Sequence, residues 1–275
     1  MGDFEKDTTI EGTDGRYVAR LSRDWQIWGP NGGYVAAIAL RAAGRATSLS
    51  RPASLAGHFL AVGEFDEVEL AVHPLREAKR AAALRVSMTQ RDRLLFEALV
   101  WVVDEVPGLE HDVAVMPDVP LPGALKSIEE LVPAEERANA YPFWGNLEAK
   151  PVHFVPWNER GAGMPERREW YRYRPRATFS DPFVDAARSL LLIDTMAWPA
   201  CCQAYPAGPM PYIAPSLDVA VHFHRLAPES EWLLSEATAS VAAQGLVGGR
   251  GQVWSEAGQL LASGGCQMFC RPVPT

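Results

Sequence analysis

The sequence of 275 residues lacks several features that would assign it to a broad class. It has no run of lysine and arginine, and its formal net charge of −8 argues against a nucleic-acid partner. The N-terminal residues have neither the basic segment nor the apolar core of a secretory signal. The longest apolar stretch, 183–204, is interrupted by charged residues and a proline, so we expect no membrane span.

Cysteine is also scarce, with four residues in two pairs, Cys201-Cys202 and Cys266/Cys270. Without an export signal we expect reduced thiols and a cytoplasmic location. Neither pair has the spacing of a zinc knuckle. His222 and His224 alternate on one face of a predicted strand, but two ligands do not make a metal site. We therefore predict no metal and no other cofactor.

The strongest organisational feature is an internal repeat. In each half a mostly apolar helical pattern, over 29–43 and over 185–197, precedes four strand patterns, and Pro199 is expected to end the second helix. The predicted strands cover 54–60, 68–75, 81–90 and 94–103 in the first half, and 216–224, 232–241, 246–254 and 260–270 in the second.

The repeat and the composition divide the chain into three parts. Residues 1–105 form the N-terminal repeat, 106–169 a proline-rich linker, and 170–275 the C-terminal repeat. Because the linker contains aromatic clusters, we expect it to be structured rather than disordered. A helix followed by antiparallel strands, twice, predicts an α+β fold whose two sheets join edge to edge.

Asp194 lies within the most apolar stretch of the chain. Helical spacing places it on the same face as Leu191 and Trp198. Burial of an unpartnered carboxylate costs several kcal/mol, so such an acid is normally paired, hydrogen-bonded or used in a reaction. The alternative to a functional role is a structural acid held by backbone N–H groups or an arginine. The matching helix of the first half has no acid, which predicts one working site.

Several motifs resemble the acyl-CoA thioesterase II (TesB-like) family, and the two helix-plus-sheet units resemble the double hotdog fold. In the second half these motifs are Ile193-Asp-Thr-Met-Ala-Trp-Pro199, Pro215-Ser-Leu-Asp-Val-Ala-Val-His-Phe-His-Arg225, Glu231-Trp-Leu-Leu234 and Gly258-Gln-Leu-Leu-Ala-Ser263. In the first half Asn31-Gly-Gly-Tyr-Val and His58-Phe-Leu-Ala61 fit more loosely. The resemblance covers nearly the whole chain except the linker.

The resemblance implies hydrolysis of acyl-CoA to free acid and CoA by water that an Asp, a Ser or Thr, and a Gln hold in place. The first two positions fall on Asp194 and Ser216, and the third falls on Cys266, with Gln267 one residue later. A one-residue slip reverses the face of a strand unless a bulge restores it. We expect a bulge at Gly264-Gly265 and predict Gln267 as the third member, with Cys266 as the open alternative.

The predicted substrate-binding residues come from the first half. Asn31, Gly32 and Gly33 begin the first helix, where backbone N–H groups could stabilise negative charge on the thioester oxygen. A glycine turn that merely packs closely is the alternative. His58 completes the predicted set. The predicted partner is acyl-CoA, and we expect a homo-oligomer because hotdog sheets leave edges to cover.

Two rival functions share the fold. Enoyl-CoA hydratases of this fold carry a histidine five residues after the catalytic Asp, and that position here is Pro199, which counts against a hydratase. A non-catalytic acyl-CoA or fatty-acyl binding protein is the other rival. The displacement between Cys266 and Gln267 keeps that rival open.

Overall fold

The described part of the chain consists of two long helices against one large sheet, with shorter elements around them. The computed structural model describes residues 1–208 and 210–273. The helices are α1 (Phe4–Asp7), α2 (Gly32–Arg45), α3 (Ile128–Leu131), α4 (Ala134–Arg137) and α5 (Pro182–Cys202). The strands are β1 (Glu11–Thr13), β2 (Arg16–Arg20), β3 (Arg51–Phe59), β4 (Glu67–Ala78), β5 (Ala81–Gln90), β6 (Arg93–Val103), β7 (Leu147–Pro151), β8 (Glu166–Tyr173), β9 (Tyr212–Ile213), β10 (Asp218–Phe223), β11 (Trp232–Ala243), β12 (Leu246–Ser255), β13 (Leu260–Phe269) and β14 (Arg271–Pro272).

Twelve of the described strands form one antiparallel sheet, in the order β1-β2-β4-β5-β6-β3-β10-β13-β12-β11-β8-β7. At its centre β3 of the first half pairs with β10 of the second, with Ala56 opposite Ala220. The two repeats therefore join edge to edge, which confirms the predicted α+β double hotdog architecture. The predicted strand 216–224 begins later, at Asp218, while Ser216 forms an isolated bridge with Met268.

Both long helices begin at a polar cap. The side chain of Asn31 accepts a hydrogen bond of 2.9 Å from the Tyr34 N–H, and Asp181 caps α5 in the same way. The prediction that α5 ends at Pro199 is wrong, because the helix continues to Cys202. Proline removes one backbone hydrogen bond in the last turn. Burial of Ala200 and Cys201 against the core offsets that loss.

The two helices cross at close range on the inner face of the sheet. Gly33 makes the crossing possible, since a Cβ at that position would lie 2.6 Å from the Cα of Leu191. Helix α5 also rests directly on β12, where a Cβ on Gly249 would lie 2.3 Å from the Cβ of Ala197. Close packing of this kind fixes the positions of the side chains between the helices.

The segment between the repeats is structured. It runs over the outer face of the second half and covers a small apolar cluster, in which Trp170 donates a hydrogen bond of 3.0 Å to the Pro120 carbonyl. β7 and the first residues of β8 lie within the predicted linker 106–169, yet they extend the sheet of the second half. Within the described residues, no helix is both long and apolar enough for a membrane span.

Candidate active site

Asp194 lies near the middle of α5, at the start of α2. Its side chain is buried, at 4% exposure, and its Oδ1 has no hydrogen-bond partner. Burial raises the pKa of Asp194 to about 6, against the opposing effects of the Ser216 hydroxyl and the Gly33 backbone N–H. The nearby charge of Asp218 also contributes to the raised pKa. The group is therefore ionised at neutral pH and can still accept a proton.

The start of α2, which contains the predicted substrate-binding residues Asn31, Gly32 and Gly33, faces this carboxylate. Asn31 donates from Nδ2 to Thr195 Oγ1 over 3.0 Å, which ties the start of α2 to α5. Gly32 approaches the acid so closely that a Cβ there would lie 2.8 Å from Asp194 Oδ2. Backbone N–H groups at a helix start carry partial positive charge and favour an anion.

Ser216 lies just before β10, where its half-buried hydroxyl faces both Asp194 and the Cys266 thiol. Its backbone bridges to Met268 of β13, so the position of the hydroxyl is set by the sheet. The structure thus brings the first two members of the predicted catalytic set together.

Cys266 rather than Gln267 faces the acid, and the predicted bulge at Gly264-Gly265 is wrong. β13 pairs with β12 in unbroken register through these residues. The glycines instead allow a close approach of β10, because a Cβ on Gly264 would lie 2.1 Å from the Ala220 carbonyl oxygen. Since no bulge intervenes, the alternation of the strand directs Cys266 toward α5.

Contacts on both faces of β13 agree with this orientation. The Sγ of Cys266 lies 3.7 Å from the Asp194 carbonyl oxygen, and the thiol is 5% exposed. Burial, followed by the charges of Asp194 and Asp218, raises the pKa of Cys266 well above its ordinary value. The Gln267 Oε1 lies on the opposite face, 3.8 Å from where a Cβ on Gly248 would stand.

His58 also lies away from the acid. It is exposed on β3, where it pairs in register with Asp218, while its neighbours Leu55 and Gly57 are buried on the inner face. The structure therefore gathers five predicted residues, and places Gln267 and His58 on the outer face of the sheet. The gathered residues are Asn31, Gly32, Gly33, Asp194 and Ser216.

Two further residues at the site were not predicted from the sequence. Thr195 follows the acid directly and accepts the Asn31 hydrogen bond. The ring of Phe59 reaches Gly32, where a Cβ would lie 3.1 Å from the Phe59 Cζ. Strand alternation, which buries Leu55 and Gly57 four and two residues earlier, could have identified Phe59 as an inward-facing residue.

The described residues hold no cluster of three or more His, Cys, Asp or Glu side chains placed to bind a metal ion. The site is built from the Asp194 carboxylate, the hydroxyls of Ser216 and Thr195, the Cys266 thiol and the start of α2. Such a set can polarise a water molecule, accept its proton, and stabilise negative charge on a neighbouring oxygen.

Comparison with known proteins gives two family matches. Residues 21–103 match the model of the acyl-CoA thioesterase N-terminal domain, and residues 122–265 match that of the acyl-CoA thioesterase C-terminal domain. Together these matches cover most of the chain and both repeats.

Solved structures with the same fold are similar over nearly the full length. An acyl-CoA thioesterase II, TesB2, from Mycobacterium marinum is 20% identical, with 98% of this chain and 99% of that chain covered and a TM-score of 0.78. A tesB protein from Mycobacterium avium subsp. paratuberculosis is 22% identical, with 98% of each chain covered and a TM-score of 0.77. A hotdog-fold protein of unknown function from Alicyclobacillus acidocaldarius is 20% identical, with 99% and 98% covered and a TM-score of 0.78.

Proposed function

The chain belongs to the acyl-CoA thioesterase family and is a thioester hydrolase, and we propose that it hydrolyses acyl-CoA with water that Asp194 activates. One observation carries the proposal. Asp194 is buried with an unpartnered Oδ1 and a pKa of about 6, directly at the start of α2. A carboxylate in this setting is ionised at neutral pH and is a stronger base than an exposed aspartate.

In the proposed reaction, Asp194 accepts a proton from water as the water oxygen attacks the thioester carbonyl carbon. Negative charge then develops on the carbonyl oxygen. The Gly33 N–H already faces the carboxylate, so the Gly32 N–H, at the first position of α2, is the donor assigned to that oxygen. Collapse of the tetrahedral intermediate breaks the carbon–sulfur bond, and Asp194 returns the proton to the departing CoA thiolate. The products are the free acid and CoA.

Ser216 is assigned the role of orienting the water against Asp194. A role as nucleophile is not supported, because no histidine in the described residues hydrogen-bonds to its hydroxyl. Cys266 stands in the third position, where the resemblance implies an amide. A thiol is a weak hydrogen-bond donor, so we assign Cys266 a smaller contribution than Ser216.

The rival functions receive less support. A hydratase would need a histidine beside the acid, whereas Pro199 follows five residues after Asp194 and lies within the helix. A binding protein needs no base, and a buried carboxylate with an unpartnered oxygen would only cost it stability. Binding without turnover is therefore left as an outcome of the experiment.

A thiol-release assay with a panel of acyl-CoA substrates tests the proposal. We expect Asp194→Asn to lower kcat/KM by about 1000-fold, within the range that general-base removal produces. Gln267→Ala is the matched control: it changes a neighbouring strand residue whose side chain lies on the other face, and should keep activity within about twofold of wild type. Unchanged turnover in Asp194→Asn would refute the assignment. Wild-type protein that binds the panel and releases no CoA would establish the binding-protein alternative.

Self-association and a cytoplasmic location are part of the same proposal. The outer face of the first half exposes Leu99 at 51% and Trp101 at 39%, and these are side chains that a second copy could cover. The four cysteines are unpaired, as expected in a reducing compartment. Sedimentation of the purified chain tests the first point, and a monomer at micromolar concentration would contradict it.

A further inference from the structure

The space beside Asp194 is bounded by buried contacts on two sides. The contact between Gly33 and the Leu191 backbone closes the gap between the two helices. On the sheet side, Cys266 Sγ lies 3.7 Å from the Asp194 carbonyl oxygen. Residues at the rim are half-buried instead, and they include Gly32, Phe59, Thr195 and Ser216. An acyl group that reaches the acid must therefore pass these rim residues.

Phe59 is the bulkiest of the four, and its ring lies beside Gly32, as the carboxylate does. A Cβ placed on Gly32 would lie 2.8 Å from Asp194 Oδ2 and 3.1 Å from Phe59 Cζ. The carboxylate and the ring thus both crowd the position beside Gly32, where no space is left for a methyl group. The Phe59 backbone is fixed, since its N–H donates to the Leu217 carbonyl over 2.9 Å, beside Ser216. Only the ring itself is left to move.

The region behind Phe59 is filled. Its ring packs on the ring of Phe96 with centroids 4.8 Å apart, and Phe96 is fully buried. Phe96 in turn covers Gly57, where a Cβ would lie 2.3 Å from its Cζ. The Phe59 ring therefore has packed aromatic surface behind it, and a long acyl chain would have to displace both rings.

The route between α5 and the sheet is closed as well. A Cβ on Gly249 would lie 2.3 Å from the Ala197 Cβ, and one on Gly251 would lie 3.3 Å from Ile193 Cγ1. The helix thus rests on the strand without a layer of side chains between them. An acyl chain cannot extend along this interface unless the core opens.

We propose that Phe59 determines the specificity of the site, restricting it to thioesters of short acyl groups such as acetyl to butyryl. The inference rests on the proposed thioesterase function. It assigns to the first half a role in substrate choice, while the second half supplies the acid. The ring moves enough to admit a short group, and its packing against Phe96 excludes a long one.

The test compares kcat/KM for acetyl-, butyryl-, hexanoyl- and decanoyl-CoA in wild type and Phe59→Ala. We expect wild type to prefer butyryl-CoA to decanoyl-CoA by at least about tenfold, and Phe59→Ala to reverse or abolish that preference. Phe59→Leu, which keeps an apolar side chain of intermediate size, should shift the ratio part of the way, and it covers the case in which the alanine variant fails to fold. Phe223→Leu is the matched control on the equivalent strand of the second half, and its ratio should equal that of wild type.

The outcomes separate this inference from the function on which it rests. If wild type cleaves decanoyl-CoA as fast as butyryl-CoA, or if both Phe59 variants keep the wild-type ratio, the role of Phe59 is overturned and the thioesterase stands. If no acyl-CoA is cleaved, the proposed function fails. Binding of non-hydrolysable thioether analogues of butyryl- and decanoyl-CoA then decides separately whether Phe59 selects by length.

Discussion

The two halves of the molecule share one architecture and differ at the positions that matter for chemistry. Asp194 and Gly44 each occupy the thirteenth position of their helix, counted from the residue after the caps Asp181 and Asn31. Around Asp194 the partner helix contributes glycines. Around Gly44 it contributes Phe183, whose ring Cδ2 lies 2.6 Å from where a Cβ on Gly44 would stand. In the first half, the Phe183 ring therefore occupies the space that corresponds to the position of the Asp194 carboxylate in the second half.

The strands show the same difference. β3 and β10 pair antiparallel around Ala56 and Ala220, so a local twofold axis relates the two halves. Applied to the neighbouring positions, this axis matches Pro52 with Ser216, and Val100 with Cys266. Ser216 and Cys266 are therefore replaced by a proline and a valine in the first half.

The two halves contribute different groups to one site. The second half carries the acid, which is costly to bury. The first half has a glycine at the matching position and therefore buries no carboxylate there. It contributes the start of α2 and the ring of Phe59 to the same site. One site is thus assembled from two halves that are alike in backbone and different in role.

The largest expected effect concerns the state of the acid itself. Protonation of Asp194 should abolish activity as fully as Asp194→Asn does, so we expect kcat/KM to fall about tenfold per pH unit below the pKa of about 6. A pH–rate profile with butyryl-CoA measures this. A profile that stays flat down to pH 4 would show that the carboxylate is not the base.

The same pKa predicts an opposite trend in stability. Because the folded-state pKa of about 6 exceeds the ordinary value of 3.8, protonation of Asp194 stabilises the folded state. This stabilisation is complete below pH 3.8 and is lost as the pH rises through 6. A shift of two pKa units corresponds to about 3 kcal/mol. Asp194→Asn should therefore be more stable than wild type at pH 8 by up to about 3 kcal/mol, and similar near pH 4. Urea denaturation at both pH values tests the sign.

The second effect compares matching glycines. In Gly32→Ala the new Cβ would stand 2.8 Å from Asp194 Oδ2, which displaces the acid, and misplacement of this kind costs about 100-fold in kcat. In Gly44→Ala the Cβ meets the Phe183 ring instead, so we expect a loss of about 1–2 kcal/mol in stability and unchanged activity per folded molecule. Equal activity losses in the two variants would mean that the glycines serve packing alone.

The third effect compares the matched strand positions. Ser216→Ala removes one hydrogen bond to the carboxylate and the water, for which we expect a fall in kcat of about tenfold, equivalent to roughly 1.4 kcal/mol. Pro52→Ala changes the first-half counterpart and should leave kcat unaltered. Should Ser216→Ala lose activity as completely as Asp194→Asn, the small orienting role assigned to the hydroxyl would be contradicted.

Much of this arrangement could be predicted from the sequence, whereas the side chain of β13 that faces the acid depended on the register of that strand. Periodicity and the repeat identified both long helices and the strands of each half, and β5 has the predicted bounds, 81–90. The acid on an apolar face and the Gly-rich start of α2 were also predicted. Whether Cys266 or Gln267 faces the acid depended on a bulge, and glycines permit both a bulge and a straight strand under close contact. Cys266 and Met268 are buried and Gln267 between them is not, which is the alternation that an unbroken strand produces.

The smallest expected effect is that of substituting Cys266, whose side chain faces α5 because β13 has no bulge at Gly264-Gly265. Cys266→Val gives the second half the side chain that the first half carries at Val100, so it removes the thiol and keeps an apolar, similarly sized group. Since a thiol donates only weakly, and burial keeps Cys266 protonated, we expect kcat to change by less than about threefold. Steady-state kinetics with butyryl-CoA, alongside Ser216→Ala, give the measurement. A fall of about 100-fold would instead show that the thiol acts on the water or the thioester, and would place the decisive difference between the two halves on β13 as much as on the helix.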